Sequence, residues 1–434
     1  MSRAAIAVLL LISACSSTRP PTPEPDAGTP PPEDAGVVDA GPADSTVSIR
    51  TDTIPCEHPE YWPFTLASST VPVLVHFRAA AEESAAREVL GLVEQSWTVE
   101  TGRLRFRAPL DDHGQCGPDG KFDVFIWRGS DGCYVDVLGG DPATSWNDQV
   151  SFLVVDPWGP YGGAILDTTV AHELDHALQA ADDWSDLACA FEMTSVFIED
   201  EVFDDDNQYV DQIADFQAHP EWALDHDDGY ATWYMYGASL YLRFVRDRYF
   251  AGDAGFIGDV WLKMRSPEAS NEPDFEDAVD QVLQARAQVG FFESLVEFAR
   301  WRVFTGARSD AAHFEEGATF AEPTRRATVH STGGRMALAP MLLGSEYVDV
   351  VAAQGEPQAV AVSLENADPG VRWVVQVVPG VSGGGEVIDV SGGPALVSVG
   401  SGQTLVIGAL PLTTDDPDQR SSAVHPATLV ISAR

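Results

Sequence analysis

The sequence predicts an α+β chain built in series, a small mixed sheet with helices followed by an all-β end, and three observations predict it. Between Val71 and Val155 short runs rich in valine and phenylalanine flank one amphipathic helical pattern. Apolar residues then recur at helical spacing through most of residues 166 to 305. From about Glu322 the pattern changes to six short alternating runs separated by glycine and proline turns, which suits a β-sandwich of roughly a hundred residues.

The chain opens with Arg3, the apolar stretch AAIAVLLLI, and Ile12, Ser13, Ala14 and Cys15. This resembles a bacterial lipoprotein signal, which implies removal of residues 1–14 and lipidation of Cys15. Ser16 after the cysteine implies, by the same resemblance, sorting to the outer membrane, facing the periplasm or the cell surface. Residues 15–52 are rich in proline, aspartate, alanine and glycine, and Asp-Ala-Gly occurs three times. Such a segment cannot bury a core and is expected to be an extended tether. No other stretch reaches the roughly 18 apolar residues that span a bilayer, so membrane contact is expected through the lipid alone. The net charge of −42, with lysine only at Lys121 and Lys263, argues against nucleic acid as a partner.

In the first half, VPVLVHF is a strand, and AAAEESAAREVLGLVEQSW is a helix with Val89, Leu90, Val93 and Trp97 on one face. LRFRA, FDVFIW and VSFLVV are further strands. The loop DDHGQCGPDGKFD gathers Asp111, Asp112, Asp119 and Asp123; such oxygen-rich loops bind Ca2+, but this one fits no EF-hand register and is expected to be a solvated turn.

The window AHELDHALQA holds His172, Glu173, Leu174, Asp175 and His176. Two histidines four apart lie one turn apart on one helical face, so both imidazoles reach one metal while Glu173 points to the water beside it. Asp167 or Thr168 is the expected N-cap, and Ala171, Leu174, Ala177 and Leu178 form the apolar stripe. A third ligand is needed, and the next histidine, His219, is far away. Glu192 follows His176 by sixteen positions on a second helical stretch, LACAFEMTSVFIEDEVF. An antiparallel turn around Asp182, Asp183 and Ser185 brings Glu192 against the histidine pair; Glu199, on the same face, is the alternative. Glu192 is preferred because an unpaired carboxylate among its apolar neighbours would be costly.

With Glu192, Ser195, Phe197, Glu199 and Asp200 after the His-Glu-x-x-His helix, residues 60 to 305 resemble the gluzincins, the thermolysin-like clan of zinc metalloproteases, and secreted myxobacterial-type members among them. The resemblance implies a zincin-like catalytic domain over residues 53–321, and the alternating runs beyond it predict the β-sandwich over 322–434. It also implies one catalytic Zn2+ on His172, His176 and Glu192, and Glu173 as general base. The clan's aminopeptidases carry a glutamate on an upstream strand, which QVSFLVVDPWGPYGG lacks, so an endopeptidase acting on protein or peptide is implied. Tyr234 and Gly237 match a Tyr-x-x-Gly step, which implies an oxyanion-stabilising role for Tyr234. One departure stands out: the aspartate four residues after the ligand glutamate is Val196 here. Support for a zinc histidine is then expected from Asp167, Asp182 or Asp183.

Cys56, Cys116, Cys133 and Cys189 remain once Cys15 carries lipid, and an even number in an exported chain predicts two disulfides. Three pairings are open; Cys116 with Cys133 closes a loop of plausible size and leaves Cys56 with Cys189. A monomer is expected. The competing expectation is a non-catalytic surface binding lipoprotein that keeps a gluzincin-like scaffold and uses its β-sandwich.

Overall fold

The computed structural model describes residues 54–433 except 131, 268–271, 352–357, 380–385, 391–392, 401 and 413–421. The signal, Cys15 and the tether lie outside the described residues. The fold is mixed α+β, with three sheets and a run of helices between the first sheet and the other two.

The first sheet holds β1 (Phe64–Ala67), β2 (Val73–Phe77), β3 (Phe122–Ile126), β4 (Tyr134–Gly139) and β5 (Val150–Val155) in the order β1-β2-β3-β5-β4. β2, β3 and β5 run parallel, and β1 and β4 pair antiparallel at the two edges. The three parallel strands are buried along their length, which is why they are continuous apolar runs rather than alternating ones. Helix α1 (Glu83–Thr98) covers one face with Val89, Val93 and Trp97.

The expected strand LRFRA does not form. α1 runs on as a π-helical turn through Arg103, and Arg105 then takes a positive φ of 66° with its guanidinium on the Gly255 carbonyl. Leu104 and Phe106 are still buried, so the run is apolar for core packing without being a strand. The short strands β1 and β4 were not legible in the sequence pattern.

Helices α2 (Leu166–Ala180) and α3 (Ala188–Val202) are almost wholly buried and pack on one another. α2 begins two or three residues earlier than expected, with Ile165 at the N-cap and no side-chain cap. Asp167 instead sits in the first turn, where its charge suits the helix dipole. After α3 come α4 (Tyr209–Ala218), α5 (Tyr234–Gly237), α6 (Ser239–Tyr249), α7 (Phe256–Met264), α8 (Phe275–Ala287) and α9 (Phe291–Trp301). α4, α6, α8 and α9 fall on the helical stretches of the sequence. No helix among the described residues is long and apolar enough to cross a membrane.

All six alternating runs beyond Glu322 are strands, joined by three that the pattern did not mark. β6 (Arg325–His330), β8 (Ser345–Val351), β10 (Val371–Val378), β11 (Glu386–Asp389) and β13 (Thr404–Pro411) form a sheet in the order β11-β10-β13-β8-β6. β7 (Gly333–Leu338), β9 (Gln358–Glu365), β12 (Ala395–Val399) and β14 (Ala427–Ala433) form the other, β12-β9-β14-β7. Val348, Trp373, Val375 and Ile407 of the first share a core with Val360, Val397, Leu429 and Ile431 of the second.

Only one disulfide is present among the described residues, Cys56–Cys116, which ties the first residues after the tether to the aspartate-rich loop. The expectation of two disulfides is corrected: Cys133 and Cys189 are both buried in the main core and are not bridged to each other. Both are buried, as is common for cysteine side chains that act as small apolar groups.

Candidate metal centre

α2 turns His172, Asp175, His176 and Gln179 toward α3 at offsets of three and four residues, and α3 answers with Glu192, Ser195 and Glu199 at offsets of three and seven. These are the spacings that keep side chains on one helical face. The loop between the helices is held by Asp182, which accepts from Arg265, and by Asp183, which accepts from Ser185 and Ser266.

Glu192 Oε2 lies 3.2 Å from His172 Nε2 and 3.9 Å from His176 Nε2. One ligand atom from each of the three residues falls within 4.8 Å of the others. Tetrahedral ligands at about 2.1 Å from a zinc-sized ion stand roughly 3.4 Å apart, so the triangle is of the right size. Both imidazoles are oriented from behind. His172 Nδ1 is 2.7 Å from Glu199 Oε1, and His176 Nδ1 is 2.8 Å from Gln179 Oε1. A carboxylate or amide oxygen only accepts, so each Nδ1 carries a proton; His176 Nε2 presents its lone pair, while His172 Nε2 shares a proton with Glu192 Oε2 that a bound cation would displace. His176 Nε2 and Glu192 Oε1 are buried without any other partner. Buried polar atoms are rarely left so, and two of them at one triangle fit a bound cation.

The alternative ligand, Glu199, is thereby placed: it stands on the far side of His172 and positions the ring. Ser195 and Asp175 complete the support, since Ser195 Oγ donates to Asp175 Oδ2 at 2.9 Å and Gln179 Nε2 donates to the same oxygen at 2.6 Å. The expected supports do not take part. Asp182 and Asp183 are spent on the loop, and Asp167 accepts from the Thr168 backbone N–H. Gln179 and Ser195 each lie three residues beyond a ligand, so helical spacing would have found them. Glu100 would not have been found: it is fully buried in the π-helical turn, with neither carboxylate oxygen hydrogen-bonded, and burial, reinforced by the Asp175 charge, holds its pKa well above the usual value.

Burial dominates the electrostatics. It disfavours charge on His172, yet the Glu192 and Glu199 carboxylates on either side outweigh it and hold the His172 pKa well above the usual value. Burial lowers His176 to about 4. Glu173, with no basic partner of its own, is raised to about 8 by burial, with the Glu192 and Glu199 charges adding and His172 opposing.

Tyr234 is not at this site. Its hydroxyl donates to the Ala223 carbonyl at 2.7 Å, and its ring packs against Phe216, Trp222 and His226. The tyrosines that interact with the Glu192 carboxylate are Tyr230 and Tyr236. Tyr236 also stacks on His172 with ring centroids 6.0 Å apart. Tyr230 is half-buried and takes a φ of 62°, an uncommon conformation for an aromatic residue. On a four-residue helix like α5, residues 234 and 236 point apart, so Tyr236 faces His172 while Tyr234 faces Ala223. No protein-family model and no curated protein matches the chain.

Proposed function

We propose that the chain is a zinc-dependent endopeptidase of gluzincin type, with the first sheet and α1–α9 as a zincin-like catalytic unit and the last two sheets as a β-sandwich. The observation that carries this reading is the pair of imidazoles whose Nδ1–H groups are donated away, to Glu199 and Gln179, so that both Nε2 atoms converge on Glu192. His172, His176 and Glu192 would hold the ion. Zinc, when bound, supplies Lewis acidity that polarises a carbonyl and lowers the pKa of water.

Glu173, buried beside the two imidazoles, takes the proton of the attacking water and passes it to the leaving amine. Tyr230 takes the role first expected of Tyr234, donating to the oxyanion from a half-buried position beside Glu192. Among the described residues β4 pairs only with β5, which leaves its outer edge to an extended peptide that would add as a further strand. The lipid expected on Cys15 would hold the enzyme at the cell envelope.

Zinc content and cleavage of an unstructured peptide library, for the full chain and its Glu173→Gln variant, test this. One zinc per chain in both proteins is expected, with cleavage roughly 10²- to 10⁴-fold slower in the variant. Undiminished cleavage by the variant would remove Glu173 as base, and a chain that takes up no zinc would sink the peptidase reading.

A further inference from the structure

The β4 edge begins at Tyr134, which pairs with Val154 near the end of β5, and the chain leaves β5 into the turn 156–163. Asp156 braces that turn. Its Oδ1 accepts from the Trp158 backbone N–H at 3.0 Å, and its Oδ2 accepts from that of Gly129 at 2.6 Å, which ties the turn to the one after β3. Gly159 and Gly163 donate back to the carbonyls of Asp156 and Pro157. Gly162 packs so closely that a Cβ there would stand 2.2 Å from the Pro157 carbonyl oxygen.

On these braced turns two exposed side chains meet. The Arg128 guanidinium carbon lies 3.8 Å over the centre of the Trp158 ring, and Trp158 is 39 % exposed. Arg128 enters no ion pair and donates no hydrogen bond among the described residues. That is unusual in a chain with 67 acidic residues against 25 lysines and arginines; Arg103, Arg105, Arg107 and Arg265 each hold a carboxylate. A guanidinium on an aromatic face is fixed by cation–π attraction and keeps its N–H donors for an acceptor beside the ring. The acceptor that matches such a planar fork is a carboxylate.

The platform stands at one end of the edge offered to a peptide. α2 begins at Leu166, just after the turn, and packs back across β5 and β4. His172 is six residues along α2, about 9 Å at 1.5 Å per residue, which an extended peptide covers in about three residues. A strand added antiparallel to β4 runs toward Tyr134 with its C-terminal part, and so meets the platform beyond the bond under attack.

We propose that Arg128, held on Trp158, is a specificity-determining residue that takes a substrate carboxylate about three residues C-terminal to the scissile bond. The inference rests on the peptidase reading and adds a substrate class to it. Two sources share this chemistry, an acidic side chain at that position and the free C-terminus of a short peptide.

Cleavage of matched peptides by the zinc-loaded full chain tests the proposal, at about 0.15 M salt. Each is built on the sequence that the peptide library selects. One pair carries aspartate or asparagine at the third residue after the bond within a longer amidated chain; the other pair ends there, with a free or an amidated C-terminus. The expected kcat/KM is about three- to tenfold higher for the carboxylate member of at least one pair, with the ratio shrinking at about 1 M salt. Arg128→Gln should bring the ratio to about one, Arg128→Glu should invert it, and Trp158→Ala should lower it by freeing the guanidinium. A preference for aspartate assigns the site to a side chain, a preference for the free end assigns it to the C-terminus, and either supports the proposal. Equal cleavage within both pairs, or a ratio that survives Arg128→Gln, would overturn this role of Arg128 and leave the peptidase reading intact. No cleavage of any peptide would sink both.

Discussion

At the scale of single residues, the two helices do for the histidines what a bare motif cannot. His172 and His176 would be free to rotate on an isolated helix; Glu199 and Gln179 fix both rings by accepting from Nδ1. Partners of this kind typically govern metal affinity by 10- to 100-fold, so Glu199→Ala should weaken zinc binding by roughly that factor in a chelator competition. Glu199→Gln should recover most of the loss, because an amide oxygen still accepts; equal loss in both variants would mean that the charge of Glu199 matters rather than its orientation of the ring. The tyrosines separate in the same way. Tyr234→Phe removes the bond to Ala223 and leaves that carbonyl without its donor, which should cost about 1–3 kcal/mol in denaturant unfolding and leave turnover per folded molecule unchanged. Tyr230→Phe should do the opposite, lowering kcat with little loss of stability. A fall in kcat for Tyr234→Phe would return that residue to the site.

At the scale of elements, α5 is four residues long and cannot be stable alone; it holds its place because it packs closely on α4. The approach is made at Gly237, where a Cβ would stand 2.3 Å from the Gln212 carbonyl oxygen and 2.7 Å from Phe216 Cβ. Gly237→Ala should therefore force the helices apart, at a cost of about 1–3 kcal/mol in a urea titration. Because α5 carries Tyr236 onto His172, the same substitution should weaken zinc retention. A variant as stable as the parent would show that α5 shifts without strain. The glycine of the Tyr-x-x-Gly match thus has a physical reason in helix packing, while the tyrosine of that match serves the core.

At the scale of the whole molecule, the sheets after Glu322 are bound to the helical part by more than their connecting chain. Ala299, Val303 and Phe304 share a buried cluster with Tyr347, Val378 and Val406. Tyr347 donates to the Ala299 carbonyl at 2.8 Å and Gln376 to that of Val296 at 2.7 Å. Backbone bonds from Ser345 to Pro220 and from Met341 to Glu221 seat the sheets on the segment between α4 and α5, the segment that also carries Tyr230. The two parts should therefore unfold together, in one calorimetric transition whose midpoint rises with added zinc. Two resolved transitions would show that the boundary near residue 322 divides independent units.

The sequence by itself determined the elements whose signal is local. The histidine pair follows from a four-residue spacing, the strands from unbroken β-branched runs, and most of the helices from apolar periodicity, because each depends only on neighbours in the chain. It also supplied Glu192, whose burial among apolar residues demands a partner. Tertiary structure alone decided what each of these groups faces. Cys56 met Cys116 while Cys133 and Cys189 went to the core, Tyr230 and Tyr236 reached Glu192 while Tyr234 turned to Ala223, and LRFRA gave up its strand to an extended turn of α1. Pairing across long separations is set by packing between elements, and no local spacing encodes it.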